Sequence, residues 1–152
     1  MRRLIYISHA VEEFALEDLL ALLAKSRTTN QARGITGVLF YLDGVFLQFL
    51  EGEAQAVEDT VARIRADPRH AGFVVLTDNS SSHEALLPEW KMGFYHLASM
   101  EPFVSRISPG LLENSDRDLS DRLLSDAASD SAGRLLAAFW RANRTRFLLH
   151  DR

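Results

Sequence analysis

Asp43-Gly44 stands between two apolar, β-rich runs, Ile35 to Leu42 and Val45 to Leu50, and an Asp-Gly pair flanked in this way predicts a β-hairpin with a two-residue loop. The register follows from the loop length. Leu39 falls opposite Gln48, and Gly37, Leu39, Tyr41, Phe46, Gln48 and Leu50 share one face of the sheet. Gln48 is the odd member of that row. Its amide has donors and acceptors to satisfy, and leaving them bare in a core costs roughly 1–3 kcal/mol. Something polar must sit above it.

The rest of the chain supplies a sheet around the hairpin. Arg3 to Ser8 predicts a strand with two largely apolar faces, hence an inner one. Leucines at 16, 19, 20 and 23 predict a helix from Ala15 to about Thr28, with Asn30 just after its end. Val57, Val61 and Ile64 predict a second helix from Ala54 to Ala66, stopped by Asp67-Pro68. Phe73 to Thr77 reads as a fourth strand, 78 to 88 as a loop, and Trp90 to His96 as a short fifth strand in which Trp90, Met92 and Phe94 alternate onto one face. The order βαββαββ predicts an α+β fold, a ferredoxin-like sandwich whose five-stranded mixed sheet carries two helices on one face. Beyond Pro102, helices are expected at roughly 111–124 and 131–147, the second with a Leu135, Leu136, Phe139, Trp140 stripe. Such a stripe needs a surface, and the bare second face of the sheet is nearest. The expected division is a globular unit at 1–98 and a C-terminal helical extension at 99–152 packed on the sheet.

Composition removes several chemistries. A net charge of −4 argues against a protein that lives on phosphate backbones or anionic lipid, and the lack of cysteine removes disulfides, thiol catalysis and thiolate metal sites. The N-terminal apolar run is too short for a signal peptide core, and nothing approaches a membrane span, so a cytoplasmic setting is expected, without membrane or direct nucleic acid binding. GxGxxG, HExxH, GxSxG and a phosphate loop are absent, and the five histidines lack metal-ligand spacing. Glu51, Glu53, Glu58 and Asp59 read as solvated strand-end and helix-face charges.

A polar constellation remains. By strand parity Tyr6 can face the two helices with Gln48 beside it on the same side, and Asn30 closes the same slot. Each has an ordinary alternative: packing for Tyr6, a helix cap for Asn30. A planar heteroaromatic ligand with amide and carbonyl edges would satisfy both amides, whereas an empty apolar slot would not.

The pattern of Tyr6 in IYIS, Asn30 in RTTNQARGITG, Gln48 in FLQFLEG, Arg63 in ARIRADPRH and Met92 in WKMGF resembles that of the BLUF domains, blue-light sensors that use FAD. The likeness runs from about residue 3 to 97. It implies an isoalloxazine ring inserted between the helices at 15–28 and 54–66, with Ile64 on the second of them beside the ring. Asn30 and Arg63 are implied at the pyrimidine edge, and Gln48 between Tyr6 and the flavin N5/C4-carbonyl edge. Arg63 also suits an ordinary helix surface. Thr29 departs from the family, many of whose members place an asparagine or histidine against the ring, so a weaker or water-filled contact is expected. Ser8 is either a pocket residue near Tyr6 or a strand-end hydroxyl. The implied photochemistry passes an electron and a proton from Tyr6 by way of Gln48 and leaves the amide rearranged, which predicts a small red shift. The strand carrying Trp90 and Met92 is implied as a relay, either side chain being able to approach Gln48, with core packing of the Trp-x-Met-x-Phe stripe as the alternative. The expected protein is a short photoreceptor, not an enzyme, signalling to a protein partner or to another copy of itself in a homo-oligomer. Two enzyme-free or catalytic readings compete: a flavin-free interaction module on the same scaffold, and an acylphosphatase-like hydrolase, which would need a phosphate-holding loop where SHAVEEF offers two glutamates. An RNA-binding sheet is opposed by the acidic balance and the helix-covered faces.

Overall fold

The computed structural model describes residues 1–80, 84–96 and 116–148. Five strands and two helices come first: β1 (Arg2–Ala10), α1 (Leu16–Arg33), β2 (Thr36–Leu42), β3 (Val45–Gly52), α2 (Ala54–Ala66), β4 (His70–Ser80) and β5 (Gly93–His96). Two C-terminal helices, α3 (Asp116–Leu123) and α4 (Ser131–Leu148), flank a short 3-10 turn at Asp126–Ala128. The sheet order is β4-β1-β3-β2-β5, antiparallel except for the β2/β5 pair. This is the ferredoxin-like α+β order with one strand added at the edge.

The hairpin forms as its sequence requires. Asp43 and Gly44 both take positive φ, 47° and 83°, the conformation that matches the twist of the flanking strands. Leu39 pairs with Gln48, and Tyr6 of β1 pairs with Gln48 from the other side.

Two apolar cores lie on opposite faces of the sheet. On one, Leu19 and Leu23 of α1 and Val57 and Val61 of α2 meet Leu4, Leu39, Tyr41, Phe46 and Leu50. On the other, Leu119, Leu123, Leu136 and Trp140 of the C-terminal helices meet Ile5, Val38, Phe40, Leu47 and Phe49. The apolar stripe of α4 thus finds its surface on the sheet, because alternation along each strand sends half of its side chains to each side.

Several boundaries differ from the sequence reading. α1 runs past Thr28 to Arg33, so Asn30 lies inside the helix and not after it; Gly34, at φ 66°, is the residue that ends it. β4 extends to Ser80 and takes in residues read as loop. β5 starts only at Gly93. Trp90 precedes it in a turn closed by its own N–H to the Leu87 carbonyl, 3.0 Å, and so escapes the strand alternation. Its ring packs in the core under the C-terminal helices, whereas Met92 and Phe94 belong to the core under α1 and α2. The expected helix start at Leu111 and the SPG run lie outside the described residues.

Candidate functional site

The cleft between α1 and α2 opens onto the sheet where β1 and β3 carry polar side chains. Tyr6 donates from its hydroxyl to Gln48 Oε1 at 2.5 Å, and Gln48 Nε2 points at Met92 Sδ at 3.3 Å. Both Tyr6 and Gln48 are buried, each 4% exposed. The amide therefore has one strong partner and one weak one, since a thioether sulfur is a poor acceptor. Phe73 stacks on the Tyr6 ring, centroids 4.3 Å apart. Burial, and then the nearby Asp67 carboxylate, push the Tyr6 phenol above its usual pKa, so it holds its proton.

The segment Lys91–Met92 is tied to α1 by side chains from one helical face. Asn30 Nδ2 donates to the Lys91 carbonyl at 2.9 Å, and Arg27 donates to the Met92 carbonyl at 3.0 and 3.1 Å. Asn30 is 3% exposed and lines the cleft. One amide hydrogen bond leaves its carbonyl oxygen and a second N–H for whatever enters.

The cleft has two adjoining lobes that open to solvent and share part of their lining. Leu22 of α1 and Ile64 of α2 form apolar walls common to both, and Gln48 is on the floor of both. One lobe ends on the aromatic rings of Phe14 and Phe46, which meet edge to face at 5.2 Å. The other ends on Thr29, Asn30 and Arg63. Among the described residues Arg63 makes two long bonds, 3.4 Å each, to the Asp59 carbonyl and Thr60 Oγ1. Desolvation, and then Arg33, hold its pKa below the ordinary arginine value. A cation so weakly partnered suits an electron-rich edge. Apolar walls, an amide floor and one polar end fit a planar tricyclic ring with a carbonyl-bearing edge.

The sequence-predicted residues do not all meet. Tyr6, Gln48, Met92, Asn30, Arg63, Thr29 and Ile64 converge. Thr29 spends its hydroxyl on the Lys25 carbonyl at 2.9 Å. Ser8 is buried, without a hydrogen-bond partner for Oγ among the described residues, and does not line either lobe. Trp90 is on the far face of the sheet, so Met92 alone of that pair touches Gln48; Gly93 permits this, because a Cβ there would lie 2.3 Å from the Trp90 ring.

Sequence reasoning passed over Phe14, Asp67, Arg69 and His70, which also line the cleft. The run DPRH carried a signal in its helix-stopping proline. Asp67 pairs with Arg69 at 2.7 Å, and that bond holds its pKa down to about 2. Glu51 corrects the sequence reading outright. It is fully buried, not solvated, and pairs with a fully buried Arg3 at 3.2 Å on the opposite face from the cleft.

The family described as BLUF, sensors of blue-light using FAD, matches residues 1–93. Photoactivated adenylate cyclase subunit beta of Euglena gracilis is 40% identical over 86 residues, 57% of this chain and 9% of that protein. The chain spans about a tenth of the length of such curated relatives. Among solved structures, the dark state of BlrB, a BLUF protein, superposes with a TM-score of 0.62 at 25% identity, covering 91% of this chain and 96% of that one. Klebsiella pneumoniae BlrP1 with FMN and cyclic diGMP gives 0.64 at 28%, over 94% of this chain and 35% of that one. A family match over more than half the chain, on a fold that already brings the tyrosine, the glutamine and the asparagine to one cleft, shows that this chain belongs to the BLUF family of flavin-binding blue-light sensors.

Proposed function

We propose that the protein is a blue-light photoreceptor that holds FAD between α1 and α2, with residues 1–98 as the sensor and 99–152 as the extension that passes its state to a partner protein. The observation that carries this reading is the Tyr6–Gln48–Met92 chain on the cleft floor, a strong hydrogen bond at one end of an amide and a weak one at the other.

When bound, the flavin supplies absorption of blue light and an excited-state acceptor for an electron. The residues around it do the rest. Asn30 and Arg63 would hold its pyrimidine edge, Ile64 and Leu22 would flank the ring, and Thr29 would offer its methyl group because its hydroxyl is engaged. Tyr6 keeps its proton in the dark; once an electron left it for the excited flavin, the proton would move along the bond to Gln48 Oε1, and both would return when the charges recombine. Gln48 is the switch. Rotation or tautomerisation exchanges its donor and acceptor ends, and the side facing Met92 resists little because an N–H···S contact is weak. The new orientation changes which neighbour receives the amide's hydrogen bond. Ser8, which lines neither lobe, is left out of the cofactor's contacts in this reading.

The chain acts as a sensor without a reaction of its own, in the cytoplasm, on a protein partner or as a homo-oligomer. Among the described residues no helix is long and apolar enough to cross a membrane. Purified protein tests the cofactor directly. A yellow product that releases FAD on denaturation supports the reading; FMN in its place would change the cofactor assignment, and a colourless protein that refuses both flavins would favour a flavin-free interaction module.

A further inference from the structure

Three positions along the strands from the Tyr6/Gln48 pair, Arg3 and Glu51 are also cross-strand partners. They point to the other face, and both side chains are completely buried. A buried ion pair is costly unless its remaining hydrogen-bonding capacity is filled. Here the filling groups come from two different places. Glu51 accepts from the Leu86 and Leu87 backbone N–H groups at 2.9 and 2.6 Å and from Thr36 Oγ1 at 3.2 Å. Those amides begin the segment that runs through the Trp90 turn to Lys91 and Met92, the residues held against Asn30 and Gln48. Arg3 donates to the Ala127 carbonyl at 2.5 Å, to Asp130 at 3.0 Å and to the Glu84 carbonyl at 2.8 Å. Asp130 in turn caps the start of α4 through the Gly133 N–H at 2.7 Å and takes Asn79 of β4 at 2.9 Å.

One ion pair thus holds both the strand-entry segment that carries Met92 and the turn that starts the last helix. We infer that Arg3 and Glu51 are positioning residues that couple the amide in the cleft to the C-terminal helices: Glu51 sets the Met92 segment, and Arg3 sets the Ala127–Asp130 turn. The cleft and the helices lie on opposite faces of the sheet, and Tyr6, Gln48, Arg3 and Glu51 all stand on the same two paired strands. A change of hydrogen bonding at Gln48 that shifts Met92 also shifts the Leu86–Leu87 amides, hence Glu51, hence the guanidinium to which Asp130 is bound.

This inference rests on the photoreceptor reading, and the test separates the two. Full-length protein loaded with FAD is measured by light-minus-dark absorption and by hydrogen exchange in dark and light. Asp130→Asn keeps an oxygen for the Gly133 cap but removes the charge that Arg3 grips, and Asp130 is remote from the cleft. Its expected result is a full red shift with the light-dependent change in exchange over 126–140 reduced at least fivefold. Glu51→Gln is the second variant, expected to keep the red shift while altering the dark-recovery rate tenfold or more, because the Met92 segment is held by a neutral group. A protein with no red shift even as wild type overturns the photoreceptor reading and this inference together. A normal red shift with no light-dependent exchange over 126–140 in the wild type, or with wild-type exchange changes in Asp130→Asn and wild-type recovery in Glu51→Gln, overturns the coupling alone.

Discussion

Tyr6 is a dependable hydrogen-bond donor because of where its ring sits. Phe73 covers one face, and burial makes the phenolate expensive, so the hydroxyl is neutral throughout the physiological range and always available to Gln48 Oε1. A phenol whose folded pKa is raised stabilises the fold fully below its ordinary pKa of about 10 and loses that contribution as pH rises beyond it. Stability followed by denaturant is therefore expected to fall above pH ~10 in wild type, and to fall less in Tyr6→Phe. The same substitution removes the donor without removing the ring, so bound flavin is retained and the photocycle is lost; a normal light-induced shift in Tyr6→Phe would sink the role given to this residue. Asp67 behaves in the opposite sense. Arg69 holds its carboxyl down to about 2, so its contribution is present above an ordinary carboxylate pKa and fades as pH falls towards that value. The pair is partly solvated, and Asp67→Asn is expected to cost under ~1 kcal/mol at pH 7 and nothing in strong acid, read from denaturation midpoints. Tyr6 and Gln48 were legible because an amide in an apolar row breaks its own pattern. Arg3 and Glu51 were not, because a charge at a strand end gives no local sign that its partners sit in loops far along the chain.

At the scale of elements, the hairpin and α2 were readable from local chemistry. Asp43-Gly44 supplies the two positive φ angles of the turn, and Val57, Val61 and Ile64 with the Asp67-Pro68 stop marked α2; Glu53, read as a solvated charge, in fact caps that helix by accepting from the Gln55 and Ala56 N–H groups. The end of α1 was placed too early, at about Thr28, because Lys25 and Arg27 read as the basic last turn of a helix. In the fold, Thr28 and Thr29 turn their hydroxyls back onto the Ala24 and Lys25 carbonyls, and the helix continues to Gly34. β5 was overextended because alternation from Trp90 was assumed through a turn that breaks it. The start of α4 carries a different constraint. Gly133 lies so close to the 3-10 turn that a Cβ there would fall 2.5 Å from Ala128 backbone atoms. Glycine to alanine inside a helix ordinarily stabilises by up to ~1 kcal/mol. Here overpacking reverses the sign, and Gly133→Ala is expected to destabilise by about 1–3 kcal/mol, measured by chemical denaturation. A gain in stability would mean that the turn is not seated on α4 as described.

For the whole molecule, the sheet is a partition between the core under the cleft and a helix-docking core, pinned by the buried Arg3–Glu51 ion pair. Breaking such a pair from one side leaves an uncompensated charge in the interior. Glu51→Leu is expected to cost about 3–5 kcal/mol, whereas changing Arg3 and Glu51 together to apolar residues costs much less than two such losses. Full additivity in a double-mutant cycle would deny the coupling between them. The two-faced sheet was legible from strands apolar on both sides, and the occupant of the second face from the α4 stripe. The central claim concerns the amide between phenol and thioether. It is tested most directly by the light-minus-dark absorption spectrum of the flavin-loaded protein and of Gln48→Leu. A reversible red shift in the wild type, absent from a Gln48→Leu protein that still binds flavin, is the expected result. The same shift in both proteins, or none in either, would contradict it.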